Sequence, residues 1–134
     1  MPGPVGALEE ALYTMLSDSS IAAAGASGVY NRIAPQGAAL PYVVYQWQGG
    51  GDENSSPRRA RNTLYSVQAL AETLDDAEAI DAAVDALLHH QSLAVTGWSN
   101  FWLAREGDIA YQEVDPAGRP VFHAGGVYRI RLSA

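Results

Sequence analysis

The residues best suited to chemistry in this chain are its three imidazoles, His89, His90 and His123. Adjacent histidines on a helix point their rings about 100° apart, a poor geometry for chelating one metal. His89 and His90 fit the end of a helix better, where an imidazole meets the negative pole of the dipole. Serine, histidine and aspartate are all present, but no Gly-x-Ser-x-Gly turn supplies an activated nucleophile. Gly49-Gly50-Gly51 lacks the Gly-Lys-Ser that completes a phosphate loop. Asp75, Asp76, Glu78 and Asp81 form a carboxylate cluster, which the first turns of a solvated helix explain without a metal. Pro57-Arg58-Arg59-Ala60-Arg61 is the one concentrated basic patch. Three arginines are few for gripping phosphates, and they suit either a plain solvated loop or docking to an acidic partner surface, with Asp52 and Glu53 meeting a basic one. No catalytic, cofactor-binding or metal site is expected, and no cofactor.

These residues must be positioned by the elements around them. Tyr42 to Gln48 reads as a strand, dense in β-branched and aromatic residues, with Pro41 just before it. Arg61 to Leu70 reads as its partner. The stretch between, 49–60, is expected to be a long, flexible polar arm. Residues 4–17 carry Val5, Leu8, Leu12 and Met15 or Leu16 at helical spacing, with Glu9 and Glu10 on the other face. Ser17 to Gly28 reads as a surface turn and Val29 to Ile33 as a short strand. A second helix is predicted from Asp75 to His90, with Ile80, Val84, Leu87, Leu88 and then Gln91 as its buried stripe, Glu78, Asp81 and Asp85 on the wet side, and an approximate capping box at Asp75 and Glu78. The last forty residues read as a meander. Its strands are Leu93 to Arg105, Ile109 to Val114 and Val121 to Leu132. A turn is expected at Glu106-Gly107-Asp108 and a β-turn at Asp115-Pro116-Ala117-Gly118. Gly125-Gly126 suggests a break in the last strand. The order predicts one α+β domain over 1–134, an antiparallel sheet of about five to six strands with two helices on one face.

Strand parity sorts the two sheet faces. Val43, Tyr45, Trp47, Tyr65 and Val67 fall on the side offered to the helices. Gln46, Gln48, Asn62, Ser66, Gln68, Gln112, Arg129 and Arg131 fall on the other, a polar and mostly uncharged face. It suits a solvated surface, or one that lines a channel or meets another subunit.

Composition narrows the function classes. Fifteen acids face eight bases, all of them Arg, for a formal net charge of -7. That balance argues against a surface that grips nucleic acid throughout. The apolar runs are far shorter than the roughly 20 residues of a membrane span. Glu9 and Glu10 stand where a signal peptide would be basic, so export by that route is not expected. There are no cysteines, hence no disulfides and no thiolate metal sites.

The layout as a whole resembles the tail-terminator, or tail-completion, proteins of long-tailed bacteriophages. The resemblance rests on the opening helix, Val29-Tyr-Asn-Arg-Ile33, Leu40-Pro-Tyr-Val-Val-Tyr45 and the polar loop. It continues through Thr63-Leu-Tyr-Ser-Val67, the helix from Asp75 to His90 and the closing Gly126-Val-Tyr-Arg-Ile-Arg131. Relatives often carry Asp and Trp in the strand after the loop, where this chain has Ser66 and Gln68. The resemblance implies a structural virion protein of the tail and neck, assembled in the host cytoplasm and not an enzyme. It implies a ring, usually of six copies, that caps the tail-tube protein, ends tail growth and joins the head connector or stopper. Sheets would line a channel through which DNA passes unbound, with no membrane involved. The loop residues Asp52, Glu53, Pro57, Arg58, Arg59 and Arg61 would meet the next ring. The alternatives are a neighbouring neck protein, or a small α+β enzyme or ligand-binding domain with its pocket between sheet and helices, which a deep, ligand-filled pocket around His123 would favour.

Overall fold

The computed structural model describes residues 4–53 and 59–134. The chain runs α1 (Val5–Leu16), α2 (Ser19–Ala23), β1 (Val29–Asn31), β2 (Tyr42–Asp52), β3 (Ala60–Ala71), α3 (Leu74–Leu88), β4 (Ser99–Val114) and β5 (Pro120–Ser133). The five strands form one sheet in the order β1-β2-β3-β5-β4. Only the β1–β2 pair is parallel. The architecture is thus α+β, as expected, with a third short helix where a plain turn was predicted. That helix starts at Asp18, whose carboxylate accepts from the Ser20 N–H at 3.0 Å.

The main hydrophobic core lies between sheet and helices, with a smaller cluster of Ala71, Ala77 and Ala124 beside it. Leu8, Leu12 and Leu16 of α1 and Ile80, Val84 and Leu88 of α3 meet Val43, Tyr45, Tyr65, Val67, Tyr128, Ile130 and Leu132. Most of the expected helical stripe residues are buried, but Val5 and Leu87 are only half-buried and Gln91, past the helix end, is exposed; Leu93 and Val95 fill the same core from a loop rather than a strand. α3 begins earlier than its acids suggest. Thr73 is the cap, its hydroxyl accepting from the Asp76 N–H at 3.2 Å, so Asp75 and Asp76 occupy the first turn. It ends at His89, and His90 takes a left-handed conformation with φ 59°.

Three departures concern strands. The glycines after Gln48 do not open a loop, because β2 continues through them to Asp52, paired with Arg61. A bulge between Trp47 and Gly49 shifts the register, and Gly50 has φ 133° with β3 so close that a Cβ would lie 2.2 Å from the Asn62 oxygen. Only glycine fits there, so Gly49 to Asp52 serves pairing rather than slack. Glu106-Gly107-Asp108 is likewise no turn. It lies inside the 16-residue β4, with a bulge between Arg105 and Gly107. Finally, β5 runs unbroken through Gly125-Gly126.

The turn from Asp115 to Gly118 forms as predicted, with the Gly118 N–H on the Asp115 carbonyl at 2.9 Å and Gly118 at φ 86°. It closes the β4–β5 hairpin at one end of the sheet. The β2–β3 connection closes the other end, since those two strands run the opposite way round.

Candidate functional site: the outer sheet face and its edges

The sheet face turned from the helices gathers most of the predicted polar residues. Its rows follow from the register: Gly51–Asn62–Arg131–Trp102, Gly49–Leu64–Arg129–Ala104, Gln46–Ser66–Val127–Gly107 and Val44–Gln68–Gly125–Ile109. Gln46, Asn62, Ser66, Gln68, Arg129 and Arg131 therefore share this face. Gln48, in the bulge, joins them by donating to the Ser66 hydroxyl at 3.0 Å. Gln112 does not. It pairs with Phe122, out of step with Tyr111 beside His123, and so takes the parity of the helix side. Counting from an assumed turn at 106–108 loses the residue that the bulge inserts.

This face is charged but internally paired. Arg129 donates to Glu106 at 2.9 Å and to Asn62 at 2.7 Å. Hydrogen bonding from Arg129 lowers the Glu106 carboxyl below its ordinary value, and the same contact raises the Arg129 guanidinium. Arg131 donates to Glu53 at 2.8 Å and lies 4.9 Å from the centre of the Phe101 ring. Its guanidinium is raised through Glu53. The contact links the predicted loop residues to the predicted face residues, because Glu53 reaches across from the end of β2. Asp52 pairs with Arg59 at 3.1 Å. Arg61 stands in β3 opposite Asp52, in step with Thr63 on the helix side, and its Nε is buried without a hydrogen-bond partner among the described residues. Pro57 and Arg58 lie outside the described residues.

Farther along the same face, His123 is almost fully buried. Its Nε2 meets Glu113 at 2.6 Å, its Nδ1 meets the Gln68 side-chain oxygen at 3.0 Å, and the Tyr111 ring stacks on it at 4.1 Å. His123, Gln68 and Tyr111 border an open hollow of about 220 Å³, whose lining includes Tyr42, Val44 and Leu70. The hollow is too shallow and too small to bury an ordinary ligand, which takes roughly 300 Å³ or more. Among the described residues no group of three or more His, Asp or Glu is placed to hold a metal. No helix among them is long and apolar enough to cross a membrane.

Two ionic clusters on the helix side were not anticipated. Arg105 forks onto Asp81 at 2.8 and 3.1 Å, donates to the Gly125 carbonyl at 2.7 Å and reaches Asp108 at 2.9 Å. Tyr128, held by Asp85 at 3.0 Å, lies beneath it. The Asp81 hydrogen bonds raise the Arg105 guanidinium above its ordinary value. The Arg105 side chain also fills the space over Gly126, where a Cβ would lie 2.5 Å from its Nε. Glu9, expected on the wet face of α1, instead turns to the sheet. It accepts from Arg32 at 2.7 Å, from Asn31 and from the Tyr65 hydroxyl at 3.5 Å. Burial is the main reason the Tyr65 hydroxyl is raised. Arg32 of the Glu9 cluster also lines the hollow beside His123, and both clusters join a helix to the sheet.

Exposed apolar side chains gather on β4, an edge strand. Phe101, Trp102, Tyr111 and Val114 are each 44 to 65 % exposed. His90 packs edge-on to Trp102 at 5.7 Å.

The fold belongs to a class found in phage-like particles. It matches a chain of the "Virion of native gene transfer agent (GTA) particle" with a TM-score of 0.84, over 100% of both chains and at 22% identity, a likeness of fold. The family follows from the sequence: residues 10–124 match the family described as "Tail completion protein gp17", and the chain belongs to that family. No curated protein matches it. It is therefore a structural protein of the virion tail, which assembles with other tail or head proteins.

Proposed function

We propose that the protein forms a ring, of six copies by its resemblance, that caps the tail tube, stops its growth and mates it to the head connector or stopper. The observation that carries this reading is the family match across residues 10–124. The outer face supports its placement toward the channel. Gln46, Gln48, Asn62, Ser66 and Gln68 are uncharged, and Arg129 and Arg131 are each matched by a carboxylate. A duplex sliding past such a wall finds few free cations to hold it. The net charge of each copy adds repulsion. Asp52, Glu53, Pro57, Arg58, Arg59 and Arg61 at the β2–β3 end would meet the next ring, with 49–60 as the contacting segment.

The protein works by shape and edge fit, without a reaction and without a cofactor. Both His123 ring nitrogens are already engaged by Gln68 and Glu113, which supports that view over a catalytic pocket. Native mass measurement of the protein alone, and then with tail tubes, tests the reading. A closed oligomer that sits on tube ends and restores joining to tails lacking it is expected. A monomer that never binds a tube end would sink the proposal.

A further inference from the structure

We propose that the segment from His89 to Leu93 is a strap that closes the apolar half of the β4 edge against strand addition by other chains, with the His89 imidazole as its fastening. This goes beyond the ring reading and does not depend on it.

β4 is the last strand of the sheet, with β5 on one side and no strand on the other among the described residues. An edge of that kind presents a row of backbone donors and acceptors with which another chain can pair. Over the first half of β4 that row is already taken. The Arg105 N–H donates to His89 Nδ1 at 3.0 Å, and the Leu103 carbonyl accepts from the His90 N–H at 2.8 Å. Farther back, the Asn100 carbonyl accepts from the Ser92 hydroxyl at 3.3 Å. The Asn100 side-chain oxygen accepts from the Leu93 N–H at 2.8 Å. The strap thus occupies β4 from Asn100 to Arg105 without being a strand itself. Its His90 stands at φ 59°, outside the β region, so it offers no ladder of its own to a further chain.

What lies beneath the strap accounts for its place. From Gln91 to Ala104 the chain has no Asp, Glu, Lys or Arg. Within that run Phe101 and Trp102 are each close to half exposed. An uncharged strand rich in aromatic residues and free of proline is the kind that pairs indiscriminately. The second half of β4 has no strap but carries Glu106, Asp108 and Glu113, and charged side chains are themselves a defence of an edge. Bulges between Asn100 and Trp102 and between Arg105 and Gly107 bracket the strapped stretch and add to its protection. His90 also packs edge-on to Trp102 at 5.7 Å, so the same turn that masks the backbone steadies the larger exposed ring. Charge guards one half of the edge and the strap guards the other.

Two variants remove the acceptor, His89→Leu at nearly the same bulk and His89→Ala at less, and urea midpoints show which of them folds. Backbone hydrogen exchange then reads the fastening, and thioflavin fluorescence against protein concentration reads strand addition. In the folded variant the Arg105 amide should exchange at least roughly tenfold faster. Thioflavin-positive assemblies should grow at concentrations where the natural chain gives none. His89→Asn, whose side-chain oxygen can stand where Nδ1 stood, should restore both properties. Trp102→Lys added to the variant without the acceptor should abolish assembly and leave the exchange fast. Fast exchange without assembly overturns the strap, and so does unchanged exchange. Assembly that survives Trp102→Lys comes from another surface and overturns it equally. If neither variant folds, the contact belongs to the core and the proposal fails.

Discussion

Arg105 bears more of the fold than any other charged residue. Its guanidinium joins α3, through Asp81, to β5, through Gly125, and it does so from a bulge in β4. Both partners of the Asp81 pair are 17 % exposed, so solvent screens it only in part. Arg105→Met is expected to destabilise by about 2 kcal/mol, below the range for a fully buried pair. Urea denaturation would measure it, and Asp81→Leu in the same background should recover part of the loss. Glu106 makes a separate, weaker prediction. Its folded carboxyl lies below its ordinary value of 4.5, so its contribution is present above that value and is lost as pH falls through the lowered one. Thermal midpoints taken from neutral pH into acid should fall less steeply for Glu106→Gln than for the natural chain. Neither role was legible in the sequence. Arg105-Glu106-Gly107-Asp108 has turn composition, and the side-chain partners other than Asp108 lie 20 or more residues away. That Gln46, Asn62, Ser66 and Gln68 share one face was legible, because simple alternation holds from Tyr42 to Trp47 and through β3.

At the scale of elements, α1, α3 and the central strands could be read from composition and apolar spacing, while the short α2 and the element ends could not. Thr73 caps α3 two residues before the acids that mark it, and strands persist through glycines that composition assigns to loops. Glycine here answers to a neighbouring backbone, which a single sequence does not display. A Cβ at Gly125 would stand 2.2 Å from the Val67 carbonyl oxygen, in the middle of the β3–β5 ladder. Gly125→Ala must push the strands apart and should cost at least about 2 kcal/mol. Gly107→Ala meets nothing within 4 Å and should stay within about 0.5 kcal/mol of the natural chain. Chemical denaturation of the pair would separate strand contact from the general effect of losing a glycine. Equal losses would remove the argument for close approach.

For the whole molecule, the family was legible in the order of elements and a few short runs, and residues 10–124 bear it out. Replacing residues 54–58 by a Gly-Ser pair is expected to leave the urea midpoint unchanged, because the ladder closes outside them with Glu53 N–H on the Ala60 carbonyl at 2.9 Å. The same change should abolish the joining of heads to tails in a complementation assay. Survival of joining would make that segment a mere connector. The two hairpins close at opposite ends of the sheet and are furnished differently. The β4–β5 tip is tight, with Asp115 accepting from the backbone N–H groups of Ala117 and Arg119. The β2–β3 tip carries the Asp52–Arg59 and Glu53–Arg131 pairs. Stood upright around an axis, such subunits give a collar whose upper and lower rims are chemically unlike. A collar of that kind has a built-in sense of up and down, so it can seat on a growing cylinder one way round and turn its other rim to a different guest.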